Sequence, residues 1–96
     1  MVAIAYATGQ LERECTTERE MKRRYPALVK SIKLRIAELR AADSVDALRL
    51  GPGRWEPLRA DRLGQWSGRL SGNWRLIVEP EDDGSRVRVV EIIDYH

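Results

Sequence analysis

The clearest periodic signal lies between residues 28 and 39. Leu28, Val29, Ile32, Ile36 and Leu39 recur at helical spacing and form one apolar stripe, with Lys30, Lys33 and Arg40 on its flank. Pro26 precedes the stripe and suits the first position of a helix, where its missing N–H costs nothing. Upstream, Val2–Tyr6 is an apolar stretch of strand length. Thr8 caps a short helix through Glu14. Thr16 or Thr17 offers a second cap, with Glu18 or Glu20 in the first turn, where the helix dipole favours an anion. Ser44 reads as the cap of a last short helix, Val45–Leu50. Gly51-Pro52-Gly53 then ends all helix. Beyond it, Trp55–Arg59, Gly64–Leu70, Asn73–Glu79 and Arg86–Asp94 have strand length. Ser71-Gly72 and Glu81-Asp82-Asp83-Gly84-Ser85 supply hairpin chemistry between them.

Helices first and strands second predict a single α+β domain over residues 1–96. Its two principal helices should pack on one face of an antiparallel sheet of about four strands. Periodicity leaves the sheet's orientation open. Trp74, Leu76 and Val78 take one face and Arg75 and Ile77 the other, so both are partly apolar.

Composition narrows the setting. With 43% hydrophobic and 33% charged residues, the chain is too apolar for disorder. Runs such as Val89–Val90 and Ile92–Ile93 fall far short of a membrane span. The start, Met1-Val2-Ala3-Ile4-Ala5-Tyr6, carries no export pattern. Cys15 has no partner for an internal disulfide, consistent with a reducing cytoplasm. The net charge of +2 is unevenly spread: residues 1–79 carry 15 Lys/Arg against 10 Asp/Glu, and residues 80–96 carry 2 against 5. Most of the chain is therefore basic enough to attract a polyanion or an acidic partner.

Familiar catalytic motifs are missing: no P-loop, GxGxxG, CxxC or HExxH. One Cys and one His leave a zinc site to be built mostly from carboxylates, so neither metal nor cofactor is expected. What remains is a set of arginines in the strand half, Arg54, Arg59, Arg62, Arg69 and Arg75, and the closing Asp94-Tyr95-His96. Guanidinium matches phosphate geometry and stays charged, and a histidine titrates near neutrality. Such a set can cleave RNA without a metal. A 2′-hydroxyl attacks its own 3′-phosphate, arginines stabilise the added negative charge, and His96 handles a proton. A sheet bearing solvated arginines and a frayed tail fits the same residue types.

Three segments resemble HigB-type toxins of the RelE superfamily. Leu58-Arg59-Ala60-Asp61-Arg62-Leu63-Gly64-Gln65-Trp66-Ser67 is similar to their LKGDRxGQ(Y/W/F)S segment. Leu70-Ser71-Gly72-Asn73-Trp74-Arg75-Leu76-Ile77 resembles the hairpin leading into their aromatic-Arg-Ile/Leu strand. Glu91-Ile92-Ile93-Asp94-Tyr95-His96 is similar to their closing E-I-x-D-Y-H. The resemblance covers residues 52–96 by motif and the helical half by length and pattern. It implies a RelE-like fold, ribosome-dependent cleavage of mRNA in the cytoplasm, and a cognate helix-turn-helix antitoxin. By position, Arg75 matches the family's phosphate-contacting arginine, and Asp94, Tyr95 and His96 its C-terminal catalytic group. Arg54, Glu56, Arg62 and Arg69 are expected at the RNA.

Three positions depart from the family pattern. Arg59 replaces a functional lysine, keeping the charge but not the ability to deprotonate. Glu56 stands where some members have a catalytic histidine; a carboxylate can act as a base but repels phosphate. Ala60 replaces the usual glycine, so its backbone is expected to avoid conformations that only glycine adopts readily. Two other readings share the fold: a gyrase inhibitor like the ParE proteins, and a catalytically weakened relative that binds RNA or its antitoxin.

Overall fold

A computed structural model describes residues 2–81 and 84–94. Strand β1 (Ala3–Tyr6) leads into helices α1 (Gly9–Thr16), α2 (Glu18–Arg24) and α3 (Val29–Ala41). Thr8 caps α1 as expected, its Oγ1 accepting from the Leu11 N–H at 3.0 Å. Pro26 opens a single 3₁₀ turn, Pro26–Leu28, that runs into α3. The α3 stripe meets the core: Ile32, Ile36 and Leu39 are buried, with Val29 packed beside them. Each such aliphatic side chain contributes about 1.5–3 kcal/mol by leaving water.

Strands β2 (Glu56–Pro57), β3 (Trp66–Arg69), β4 (Trp74–Glu81) and β5 (Arg86–Asp94) pair antiparallel in sequence order. The complete sheet has five strands in the order β1-β5-β4-β3-β2, and β1 joins β5 in parallel. Short turns force their neighbours to be antiparallel. The first strand is tied to the rest only through helices, so turn chemistry does not constrain its direction. Two expected elements are weaker than their sequence pattern. The last helix is a 3₁₀ segment, Asp46–Leu50, and Trp55–Arg59 contributes only two ladder residues at the sheet edge. Pro57, with no N–H to donate, is at home on an edge strand.

The sheet's orientation is settled by burial. Leu76 and Val78 join the core with Val87 and Val89, flanked by Ile4, Tyr6, Trp66, Trp74 and Ile92. Tyr25, just after α2, packs edge-on against Trp74 with ring centroids 5.6 Å apart. Arg75, Ile77 and Glu79 therefore lie on the face away from the helices. A β-bulge sharpens the division: Ile77 pairs with Glu91 but Val78 pairs with Val89, leaving Val90 as the extra residue. The bulge reverses the alternation of β5. Val87 and Val89 point to the core before it and Ile92 after it, while Glu91 and Ile93 move to the open face.

A buried polar tie locks the loop after the helices onto the sheet. Trp55 is 2% exposed, and its Nε1 donates to Glu38 Oε1 at 2.8 Å. The Gly53 N–H donates to Glu38 Oε2 at 3.2 Å, and Arg35 Nε lies 3.4 Å from Glu38 Oε1. The Trp55 ring rests on Gly68, where a Cβ would sit 2.6 Å from the ring edge. Only glycine fits beneath that indole. No helix among the described residues is long and apolar enough to cross a membrane.

Candidate functional site

Register lays the open face out in rows across the strands. One row is Glu56–Ser67–Ile77–Glu91, from β2 to β5. The next, two residues along and so roughly 7 Å away, is Arg69–Arg75–Ile93. The Arg69 N–H donates to Gly53 O at 2.8 Å, which sets Arg54 beside the end of β3. Arg69 and Arg75 thus share one end of the face that the helices leave uncovered, with Arg54 close by in the chain that bonds to Arg69. Arg54 and Arg69 are exposed and Arg75 is half-buried.

Two guanidinium groups directly opposed on one face repel each other. Arg75 is steadied by the β3–β4 turn, its Nη1 donating to Ser71 O at 2.8 Å, Trp74 O at 2.9 Å and Gly72 O at 3.2 Å. A guanidinium carries five N–H donors, so these contacts to one nitrogen leave donor capacity for an anion. Arg54 has φ +49°, a left-handed conformation that a non-glycine residue adopts only when its surroundings impose it.

Residues 58–65 form an arm between β2 and β3. Its base continues the ladder, with the Leu58 N–H donating to Gln65 O at 2.8 Å. Its tip is a 3₁₀ turn, Ala60–Arg62. Arg59, exposed, enters that turn in extended conformation. Ala60 has φ +59°, so the expectation that it would keep to ordinary backbone conformations is corrected: the turn takes the left-handed form anyway and alanine bears the strain.

Arg62, expected at the RNA, turns its guanidinium inward. Its Nη2 lies 2.6 Å from Glu91 Oε1, and its Nη1 donates to Gln65 Oε1 at 3.1 Å. Gln65 Nε2 in turn donates to Glu79 Oε2 at 3.4 Å. Glu91 and Glu79 escaped notice as single residues. Glu91 stands inside the closing motif, but its partner is found only once the bulge has set the register of β5.

The two ends of the proposed catalytic set are not all on one face. Asp94 pairs in register with Trp74, which places it on the helix side, opposite to Arg69 and Arg75. Tyr95 and His96 lie outside the described residues. Glu56 is exposed on the edge strand, in the row beside the arginines.

Several solved structures have the same architecture. A YoeB/ParE toxin from Agrobacterium tumefaciens matches with a TM-score of 0.70 at 19% identity, over 99% of this chain and 100% of that one. YoeB in the YoeB–YefM complex from Staphylococcus aureus matches at 0.67 and 18%, covering 100% and 98%. YafQ from E. coli matches at 0.61 and 16%, covering 98% and 93%. No family model and no curated protein matches the sequence. The chain has the RelE-like toxin fold over its full described length.

Proposed function

We propose that this protein is the toxin of a type II toxin–antitoxin pair, a HigB-type ribonuclease that cuts mRNA on the ribosome. The observation that carries the reading is the opposed Arg69–Arg75 pair on the sheet face away from the helices, with Arg54 next to the end of β3. Opposed guanidinium groups are unfavourable alone and favourable around a phosphodiester. The residue types then divide the chemistry. Glu56, in the neighbouring row, takes the proton of the 2′-hydroxyl as that oxygen attacks the adjacent phosphorus. The bond to the 5′-oxygen breaks, giving a 2′,3′-cyclic phosphate and a 5′-hydroxyl end. Arg69 and Arg75 stabilise the charge that grows on the non-bridging oxygens, and Arg59 adds positive potential from the arm. Within the closing motif, His96 supplies the proton that the departing oxygen needs. Tyr95 stacks on a base; Asp94, which the family resemblance groups with them, lies on the helix side of β5 and takes no direct part at the phosphate. No step in this scheme calls for a metal.

An antitoxin would hold the protein in check by covering the same basic surface. Structurally similar toxins have been solved as toxin–antitoxin complexes, among them YoeB–YefM from S. aureus and RelBE2 from Mycobacterium tuberculosis. The helix-turn-helix class of antitoxin follows from the HigB resemblance, and the ribosome places the activity in the cytoplasm.

The decisive experiment is cleavage of ribosome-bound mRNA by the purified protein and by Arg75→Ala. Loss of one well-placed transition-state donor costs about a hundredfold or more in rate. A folded Arg75→Ala protein that cuts as fast as the parent removes Arg75 from the site. A parent that leaves mRNA intact but blocks DNA supercoiling is a gyrase inhibitor instead. A parent that binds RNA or antitoxin with neither activity is the weakened relative.

A further inference from the structure

Two residues on the open face are more deeply buried than their position explains. Ser67 is 2% exposed and Ile77 0%, yet both lie in the row Glu56–Ser67–Ile77–Glu91, on the side without helices. Arg62 belongs to the arm that joins β2 to β3, and Glu91 sits on β5. To meet at 2.6 Å, the arm and the long Arg62 side chain must together reach over β3 and β4, a span on the order of 10 Å at the usual strand spacing. The residues they cross are Ser67 and Ile77. The Arg62–Glu91 pair is thus the far end of a strap laid over the open face. Gln65 makes a second, nearer fastening to Glu79 on β4 at 3.4 Å.

The strap needs a fastening because its own backbone does not favour the path. Ala60 is held at φ +59°, and the tip offers Leu63, 80% exposed, no packing to hold it down. The side chains of Arg62 and Glu91 are 30% and 37% exposed. That is sheltered enough for the pair to outdo a fully solvated one. The same contact neutralises Glu91. Unpaired, that carboxylate would stand on the face proposed to receive a polyanion, beside the row that holds Arg75.

We infer that Glu91 is a positioning residue: through Arg62 it fastens the 58–65 arm to the open face and so fixes Arg59, which enters the turn at the arm's tip. Arg62 on this account is the buckle of the strap and not a ligand of phosphate. The inference rests on the nuclease reading for its catalytic consequence, but the fastening itself is a property of the free protein.

Two measurements on the same variants separate the two. The variants are Glu91→Gln, which keeps size and hydrogen bonding but drops the charge, and the exchanged pair Arg62→Glu with Glu91→Arg. Amide hydrogen exchange of the free protein reads the strap. In Glu91→Gln, exchange over residues 58–65 should quicken by about two- to fivefold, the loss expected of one partly exposed ion pair. The core strands should be unaffected, and the exchanged pair should restore the slow rate. Cleavage of ribosome-bound mRNA reads the consequence. Glu91→Gln should lower kcat by about tenfold or more, as misplacement of a catalytic group does. KM should hold or fall, because a negative charge has left the RNA face, and the exchanged pair should recover kcat. Unchanged exchange in Glu91→Gln overturns the strap, whatever the RNA result. Quickened exchange with unchanged kcat overturns the positioning role. Quickened exchange in a protein whose parent cuts no mRNA upholds the fastening and defeats the nuclease reading alone.

Discussion

Replacing Ala60 by glycine should stabilise this protein, the reverse of what glycine usually does. Ala60 is exposed and has φ +59°, where its Cβ crowds the neighbouring carbonyl at a cost of about 1–2 kcal/mol. Glycine removes that cost but gives the unfolded chain more freedom, worth about 0.4–1 kcal/mol. The methyl group is solvated, so little packing is lost. The net expectation is a gain of about 0.5–1 kcal/mol. For a domain near this size, about 4–8 °C accompanies each kcal/mol, so Tm should rise by roughly 2–8 °C. Ala37→Gly is the control. Ala37 is also exposed but lies in the interior of α3, where glycine costs about 0.5–1 kcal/mol. Calorimetry or circular dichroism melts of the three proteins decide the matter. A Tm for Ala60→Gly at or below that of the parent, with Ala37→Gly destabilised as usual, would refute the idea that the arm's turn is strained.

Gly68→Ala should destabilise the fold by about 1–3 kcal/mol, seen as a lower urea midpoint, because its Cβ would meet the Trp55 ring at 2.6 Å. An unchanged midpoint would mean that the indole can move away from β3 freely. Cys15 should resist thiol reagents at pH 8 until the protein unfolds, since burial, and then the charge of Glu14, pushes its pKa up to about 12. A thiol raised from 9.0 in this way favours the folded state fully below pH 9. That contribution is lost as pH climbs toward 12. Cys15→Ala should flatten the alkaline fall in Tm, and an equal fall in both proteins would count against a buried neutral thiol.

The solved structures that share this fold are 16–22% identical to the chain, yet the strand half carries its motifs in recognisable form. The reason is physical. Ser71-Gly72 encodes a tight hairpin locally, and the α3 stripe encodes a buried face by spacing alone, so both could be read from the chain. Arg69 and Arg75 were candidates by type and motif; that they are register partners is a consequence of the hairpin between them.

Elements with local instructions were therefore legible along the chain: the Thr8 cap, the stripe from Leu28 to Leu39, the turn residues, and the residue types able to handle phosphate. Features that depend on distant pairing emerged only on folding. A one-residue bulge at Val90 turned Glu91 to the open face and sent Asp94 to the side of Trp74, away from the arginines. β1 joined the sheet in parallel because no short turn dictated its direction. Ala60 took a left-handed conformation against its own preference, within an arm held by Glu91 from three strands away. A residue's own preference is worth about 1 kcal/mol, and a closed set of packing and ion-pair contacts outweighs it.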